Sequence, residues 1–153
     1  MSQRVLNQRL WFTDNRISLA PSSIPGAGLG VFARKHIPAG TIIETSPVLL
    51  FSADIYNAID KPTDLGARNI LSDYPFSWSK GRSALAFGWG SLFNHSDRPN
   101  VSFKNITEES DGYNALQFRV MKNIAVGEEL FIRYAWDTSS LWFMNQEAKP
   151  DNV

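Results

Sequence analysis

Apolar residues along this chain recur mostly at every second position in short runs, which is the period of β-strands. The runs lie at 30–33, 41–44, 47–51, 100–105, 115–124 and 130–136. They are separated by turn sequences at 38-PAG-40, 107-TEESDG-112 and 126-VGEE-129, of which 107–112 is interpreted as a polar loop. The pattern predicts a mostly β domain of many short strands.

The segment from Ser52 to Ser72 is the exception, because its apolar residues have helical spacing interrupted by Pro62 and Gly66. We predict a short helical insert at about 52–72. The N-terminus begins polar and leads into a first strand around Ile17. At this length the prior favours a single domain over 1–153, with a core at about 15–136 and a C-terminal lid or tail at 137–153.

Composition excludes several classes of function. The chain of 153 residues carries 15 Lys plus Arg and 15 Asp plus Glu, so binding of nucleic acid or membrane surfaces driven by net charge is not expected. No apolar run reaches the roughly 20 residues of a membrane span, which predicts a cytoplasmic or nuclear protein. There is no cysteine and only two histidines, so a metal site is not expected.

Three stretches could carry chemistry, and the first is 28-GLGVFA-33. A phosphate-binding loop needs a helix behind the glycines, whereas this sequence continues as a strand and reaches Pro38. Two interpretations stay open. The glycines form a bulge or turn between strands, or their missing side chains leave the backbone open to a ligand.

The second stretch is 91-SLFNHSDRPN-100. Asn94, His95 and Ser96 are consecutive, so in a strand their side chains alternate faces and cannot form a catalytic triad by themselves. One interpretation is a buried polar turn in which Asn94 and Asn100 satisfy backbone groups. The other is that Asn94 and His95 hold a ligand.

The third stretch is 127-GEELFIRYAW-136. Glu128 and Glu129 follow a glycine and are interpreted as solvated residues of an exposed turn. Tyr134 and Trp136 share one face of the following strand by alternation. A tyrosine in such a strand commonly satisfies its hydroxyl within the core, so each stretch taken alone has a structural explanation.

Taken together and in this order, 28-GLGVFA-33, 92-LFNHSDRPN-100 and 127-GEELFIRY-134 resemble the SET-domain protein lysine methyltransferases. The resemblance runs from about Gly26 to Trp136, most of the chain. It implies the SET β fold, in which several small curved sheets surround a C-terminal pseudoknot. In that pseudoknot the segment around Asn94 passes beneath the C-terminal segment.

The resemblance also implies a site that binds S-adenosylmethionine, yields S-adenosylhomocysteine and uses no zinc. Residues matching the family's cofactor motifs are Gly28, Leu29, Gly30, Asn94 and His95, with Trp142 as a further contact in the tail. Tyr134 matches the catalytic tyrosine, and Tyr74 in 74-YPFSW-78 matches a second one. Ile132, Trp136 and Phe87 would line the channel for the substrate lysine.

The implied chemistry is in-line methyl transfer to a neutral lysine amine. This reaction requires the amine to be aligned with the methyl group and does not require a strong base or a metal. A lysine has a reference pKa of about 10.4, and neutralising it at pH 7 costs roughly 4 kcal/mol. An apolar channel and a nearby sulfonium charge both reduce that cost. Tyr134 would orient the amine through its oxygen rather than act as a general base.

The sequence departs from the family pattern at three positions. Asp97 stands where a cysteine often leads to a zinc cluster, so a metal-free tail around Leu141, Trp142 and Phe143 would have to close the pocket. Ser91 stands where many members have arginine. Ile132 stands where the family uses Phe or Tyr to tune the product, which predicts room for di- or trimethylation.

The leading hypothesis from sequence is a lysine methyltransferase acting on a histone tail or nucleosome, and therefore nuclear, by family inference. Two alternatives stay open: methylation of a non-histone protein, and an inactive SET module that binds the cofactor as a scaffold. The substrate would be positioned by a homodimer or by the insert. No specific nucleic-acid or membrane partner is expected.

Overall fold

The computed structural model describes residues 15–61 and 70–134. Several predictions therefore fall outside the described residues. These are Trp136, the candidate lid residues Leu141, Trp142 and Phe143 with the rest of the tail 137–153, and the middle of the insert at 62–69.

Short strands make up most of the described chain, as the alternating pattern predicts. The strands are β1 (Ile17–Pro21), β2 (Leu29–Ala33), β3 (Ile42–Phe51), β4 (Phe76–Ser77), β5 (Ser83–Ala86), β6 (Asn94–His95), β7 (Val101–Ile106), β8 (Ala115–Val120) and β9 (Glu129–Ile132). The α-helices are α1 (Ala53–Ile59) and α2 (Glu108–Asp111), and 3₁₀ helices cover Ile70–Asp73, Ser79–Gly81 and Gly88–Ser91. The predicted mostly β class is confirmed.

The strands form two sheets. One has four strands in the order β1-β2-β9-β6, and the other has five in the order β4-β5-β3-β8-β7. Every pairing is antiparallel except that of β6 with β9, in which Asn94 lies beside Phe131 and His95 beside Ile132. This parallel pair joins two of the three sequence stretches singled out above.

Strand β3 is longer than predicted. The sequence pattern suggested separate runs at 41–44 and 47–51, but the structure has one strand that continues through Pro47, so the division is wrong. The first half of β3 pairs with β8 and the second half with β5. Proline is tolerated here because it marks the change of partner, and its carbonyl accepts a hydrogen bond from the N–H of Phe87 at 2.9 Å.

The stretch 107–112 is also different from the prediction, because it contains the single-turn helix α2 rather than a polar loop. Thr107 and Ser110 form a reciprocal capping box, and Gly112 ends the turn in the left-handed conformation at φ 78°. The Thr-x-x-Ser spacing carried this signal, and the run of polar residues concealed it.

The predicted helical insert is helical at both of its described ends, in α1 and in the 3₁₀ helix Ile70–Asp73. Tyr56 of α1 connects the two, since its hydroxyl donates to the carbonyl of Ser72 at 3.5 Å. Over the described part of the chain, no helix has the length and apolar character needed to cross a membrane.

One continuous apolar core joins the two sheets. Val31 and Leu130 enter it from the four-stranded sheet and Ala84 and Phe118 from the five-stranded sheet, and all four are fully buried. Phe93 lies just before β6 and is also in the core, where its ring centroid is 4.9 Å from that of Phe118. The described strands thus share one core, and the single domain over 1–153 stays a prediction.

The segment from Asn94 to Asn100 wraps strand β9. The N–H of Ser96 donates to the carbonyl of Ile132 at 3.0 Å, and the N–H of Asn100 donates to that of Phe131 at 3.2 Å. The Asn100 side chain is buried and extends the pairing, because its Oδ1 accepts from the N–H of Phe131 and its Nδ2 donates to the carbonyl of Glu129. This is the crossing expected of the pseudoknot.

Candidate active site

The start of β2 brings a stretch of bare backbone to the edge of the candidate site. Gly28 has φ 74°, a conformation that favours glycine, and Leu29 is largely exposed. Gly30 lies inside the strand, where an added Cβ would collide with the carboxylate of Glu129 and lie 3.2 Å from Nδ2 of Asn94. Gly30 is therefore required by the close approach of two polar side chains.

Strand β6 places Asn94 against β2. The amide Nδ2 of Asn94 donates to the carbonyl of Leu29 at 3.0 Å and to Oε1 of Glu129 at 3.2 Å. The structural interpretation of this asparagine, as a residue that satisfies backbone, is thus correct as far as it goes. Its carbonyl oxygen makes no hydrogen bond to the rest of the described chain, which leaves an acceptor for a ligand.

His95, the next residue, contacts the other end of the site. Its ring is buried, and its Nδ1 accepts a hydrogen bond from the backbone N–H of Tyr134 at 3.0 Å. A neutral imidazole that accepts at Nδ1 carries its proton on Nε2, and that atom lies 3.4 Å from Oδ1 of Asp97. Burial lowers the pKa of His95, and the Asp97 carboxylate only partly opposes the shift.

Asp97, which stands in place of the cysteine expected from the family, has a second contact here. Its backbone carbonyl accepts from Nη1 of Arg133 at 3.3 Å, and its Oδ1 lies 3.9 Å from Nη2 of the same guanidinium. Asp97 therefore connects β6 to the residue before Tyr134. At the position where the family often has a cysteine, this chain therefore has an aspartate that contacts Arg133.

Tyr134 is held through both its backbone and its hydroxyl. The hydroxyl donates to the carbonyl of Phe93 at 2.7 Å, and the ring packs near His95 with centroids 5.3 Å apart. Burial raises the pKa of Tyr134 to about 12, and nearby Tyr74 and Asp73 raise it further in the same direction. Tyr134 is therefore a neutral phenol at physiological pH.

Tyr74 lies close enough to Tyr134 for the two phenols to interact electrostatically. It follows the 3₁₀ helix Ile70–Asp73 and is 45% exposed. The structure thus brings together the two tyrosines that the sequence resemblance paired. Asp73 adds a carboxylate at the same place, which the sequence analysis did not identify.

Glu129 is the main residue that sequence reasoning missed. It was interpreted as a solvated turn residue, but it is only 5% exposed and begins β9. Its carboxylate accepts from the hydroxyls of Ser22 and Ser23, from the N–H of Ser23 and from Asn94. Burial by itself raises the pKa of Glu129, but these hydrogen bonds outweigh it and hold the pKa below its usual value.

The other predicted site residues are more scattered. Ile132 is 1% exposed and packs in the core, so its place in a substrate channel stays a prediction. Phe87 is half exposed at the entrance to the 3₁₀ helix Gly88–Ser91, and its channel role also stays a prediction. Ser91, found where the family often has arginine, donates its hydroxyl to the carbonyl of Ala86 at 2.6 Å.

Comparison with known proteins identifies the family. The SET domain family model matches residues 28–135. The chain is 36% identical over 126 residues to a Schizosaccharomyces pombe protein named histone-lysine N-methyltransferase, H3 lysine-37 specific; the match covers 82% of this chain and 77% of the relative.

Solved structures agree on the fold. A candidate histone methyltransferase of Plasmodium falciparum matches with a TM-score of 0.61 and 28% identity, over 84% of this chain and 96% of that one. The complex ctPRC2, in an autoinhibited conformation bound to S-adenosylmethionine, contains a chain that matches with a TM-score of 0.63 and 20% identity, over 86% of this chain but only 17% of that one. With the paired glycines, the wrapped β9 and the tyrosine beside His95, these matches show that the chain belongs to the SET-domain family of protein lysine methyltransferases.

Proposed function

We propose that this protein transfers methyl groups from S-adenosylmethionine to a lysine of a histone. The observation that carries the proposal is the convergence of three elements at one site. Leu29 and Gly30 of β2, Asn94 and His95 of β6, and Tyr134 after β9 are linked by direct hydrogen bonds. These are the positions that match the family's cofactor and catalytic motifs.

The residues present fit S-adenosylmethionine, which supplies a methyl group activated by a sulfonium charge. Gly28, just before β2, carries no side chain and has open space beside it, so its backbone is accessible to a ligand, whereas Gly30 makes room for Glu129 and Asn94. Asn94 has an uncommitted carbonyl oxygen, suited to accept a hydrogen bond from the ammonium of the cofactor's amino-acid part. We assign Gly28, Leu29, Gly30, Asn94 and His95 to cofactor binding.

Tyr134 would position the substrate amine. Because its pKa is about 12, the phenol keeps its proton at neutral pH and cannot serve as a general base. The hydroxyl donates its proton to the carbonyl of Phe93, and a phenol oxygen can in addition accept a hydrogen bond from a neutral lysine amine or a weak C–H contact from a methyl group. We assign Tyr74 the role of helping to orient the same amine in line with the transferring methyl group, because its phenol interacts electrostatically with that of Tyr134.

The substrate assignment draws on the S. pombe relative, whose name specifies histone H3 lysine-37. We infer that histone H3 is the substrate to test first and that the protein acts in the nucleus. The homodimer and the di- or trimethylated product stay predictions, as does the absence of zinc from the working enzyme.

The test combines binding and transfer on one sample. Calorimetry with S-adenosylmethionine is expected to show one site per chain, and Asn94→Ala is expected to weaken it strongly. Transfer of a tritiated methyl group is then measured on core histones, on histone H3 alone, and on histone H3 with arginine in place of lysine 37. Loss of label in the last case would identify the lysine.

Other outcomes separate the alternatives. Binding with transfer to a different purified protein and not to histones would support a non-histone substrate. Binding without transfer to any protein, with Tyr134→Phe no different from wild type, would support an inactive scaffold. Absence of binding would contradict the assignment of the cofactor site.

A further inference from the structure

Glu129 is a buried carboxylate that the proposed mechanism leaves without a task. It lies directly under Gly30, and the absence of a side chain there is what admits it. Both of its oxygens are occupied: Oε1 accepts from Ser22 and Asn94, and Oε2 accepts from the N–H and the hydroxyl of Ser23. Burying this charged carboxylate costs free energy of desolvation, which a turn residue in contact with water would not incur.

Its contact with Asn94 fixes which way that amide faces. An asparagine side chain has a donor end and an acceptor end of similar shape. Here the two groups closest to it, the carbonyl of Leu29 and Oε1 of Glu129, are both acceptors, so the NH₂ group must face them. The carbonyl oxygen then necessarily occupies the opposite position, where it is uncommitted within the described chain.

We propose that Glu129 is a positioning residue that orients Asn94 so that its carbonyl oxygen receives the ammonium group of the cofactor's amino-acid part. The inference rests on the proposed function, since it takes S-adenosylmethionine as the ligand. Without the carboxylate, only the carbonyl of Leu29 would hold the NH₂ group in place. An amide that rotated would then present its NH₂ group to the ammonium, and two donors would face each other. Glu129 therefore selects for the charged amino-acid part rather than for the adenosine part.

The loop from Ser22 to Gly28 is held by the same carboxylate. Ser22 and Ser23 bond to it directly, and the N–H of Ser22 donates to the carbonyl of Gly28 at 2.8 Å. A general loosening of this loop would weaken every ligand of the site, whereas loss of the Asn94 orientation would weaken only ligands that carry the ammonium. The experiment has to separate these two effects.

Two ligands make that separation. S-adenosylhomocysteine carries the amino-acid part and does not react, and 5′-methylthioadenosine has the same adenosine and thioether without it. Glu129→Leu removes both acceptor oxygens at similar volume, and we expect it to weaken S-adenosylhomocysteine binding about tenfold, as for loss of a charge-assisted hydrogen bond. Affinity for 5′-methylthioadenosine should change by less than about twofold.

Further variants provide a substitute if Glu129→Leu does not fold, and test whether Glu129 acts through Asn94. Glu129→Gln keeps one acceptor oxygen for contacts that occupy two, so a smaller loss with the same selectivity is expected if Glu129→Leu does not fold. Glu128→Gln is the matched control, because Glu128 pairs with Lys122 at 2.9 Å and accepts from Asn100 at 3.3 Å, and neither contact involves Asn94. In an Asn94→Ala background, Glu129→Leu should have no further effect on S-adenosylhomocysteine.

The results distinguish failure of the inference from failure of the proposed function. If wild type binds neither ligand, the proposed function fails and this inference with it. If wild type binds but the Glu129 variants match it, or weaken both ligands equally, only the inference is overturned. Additive losses from Asn94→Ala and Glu129→Leu would likewise show that Glu129 does not act through Asn94.

Discussion

The two sheets of this protein are held together in different ways. In the five-stranded sheet, β7 and β8 pair over six successive residues, and a cluster of phenylalanines covers one side. In the four-stranded sheet, β9 pairs with β2 and with β6 over only two residue pairs each. There the side chains of Asn94, Asn100 and His95 complete the hydrogen bonding that backbone pairing leaves unfinished.

This difference is consistent with the proposed location of the active site in the four-stranded sheet. In the five-stranded sheet, the pairing of β7 with β8 satisfies the backbone directly and apolar side chains pack against it, so we expect this sheet mainly to support the fold. Short ladders leave backbone donors and acceptors that polar side chains must satisfy, and those same side chains have further atoms with which to meet a ligand. Substitutions in the five-stranded sheet should therefore affect mainly stability, whereas substitutions in the four-stranded sheet should also affect binding and turnover.

Phe118→Ala should give the largest effect. The ring is fully buried and lies 4.9 Å from Phe93, 5.8 Å from Phe103 and 6.1 Å from Phe76 between centroids. Its removal is expected to cost about 3–5 kcal/mol in the free energy of unfolding, measured with urea. Phe118→Leu serves as the milder control and should cost less.

The Phe118 result also tests the comparison itself. At temperatures where Phe118→Ala remains folded, cofactor affinity should stay near that of wild type. A selective loss of cofactor affinity in a fully folded sample would show that the five-stranded sheet also affects binding. The contact of Phe118 with Phe93, just before β6, would then connect the two sheets.

Tyr134→Phe tests the four-stranded sheet, where we expect a small effect on stability and a large effect on turnover. The variant loses one hydroxyl, which donates to the carbonyl of Phe93, so the free energy of unfolding should fall by only about 1 kcal/mol. Turnover should fall by at least about a hundredfold, equivalent to about 3 kcal/mol, because a positioned polar group at the reacting centre is lost. Methyl transfer rates and cofactor affinity are measured together.

A matched control for that substitution is Tyr113→Phe, since Tyr113 is an exposed tyrosine beyond α2 and outside the site. It should leave turnover unchanged. Equal turnover in wild type and Tyr134→Phe would rule out the assignment of Tyr134 as the residue that positions the amine.

Asn100→Ala should come next in size. The side chain is buried, donates to the carbonyl of Glu129 at 2.8 Å and accepts from the N–H of Phe131 at 2.7 Å, so its removal leaves two groups of β9 unsatisfied. We expect a loss of about 2–3 kcal/mol in stability. Hydrogen exchange should show the loss of protection concentrated in β9 and β6. A loss spread evenly over both sheets would contradict a local role of Asn100 in holding β9.

Much of the fold could be predicted from the sequence, because period-two patterning marks strands that are half buried. The errors occur where that signal is overridden. Pro47 looked like a strand boundary, yet β3 runs through it because its two halves pair with different strands. Thr107 begins a capped turn whose polar composition resembles a loop.

The candidate site was predictable only in part, and the reason is physical. The glycines, Asn94, His95 and Tyr134 lie in local motifs that can be recognised along the chain. Glu129 accepts hydrogen bonds from Ser22 and Ser23, more than 100 positions away, and no local pattern in the sequence indicates such contacts. The sequence gives Glu129 the appearance of a turn residue, and only the fold buries it.

The smallest expected effect is a pH dependence of stability that originates at His95. Burial lowers the folded-state pKa of His95, against the partial opposition of Asp97, so the unfolded chain takes up the proton first as the pH falls. Stability should therefore decline as the pH falls below about 6.5, the ordinary pKa of a histidine in the unfolded chain. Glu128 and Glu129 have lowered pKa values and contribute their own losses of stability only near and below pH 4.5, so the pH range of their effect is separate from that of His95.

His95→Asn keeps an acceptor for the N–H of Tyr134 but cannot titrate. Between about pH 7.5 and 5.5, the free energy of unfolding measured with urea should therefore change less with pH in this variant than in wild type. Equal slopes would mean that burial in the folded protein does not lower the pKa of His95.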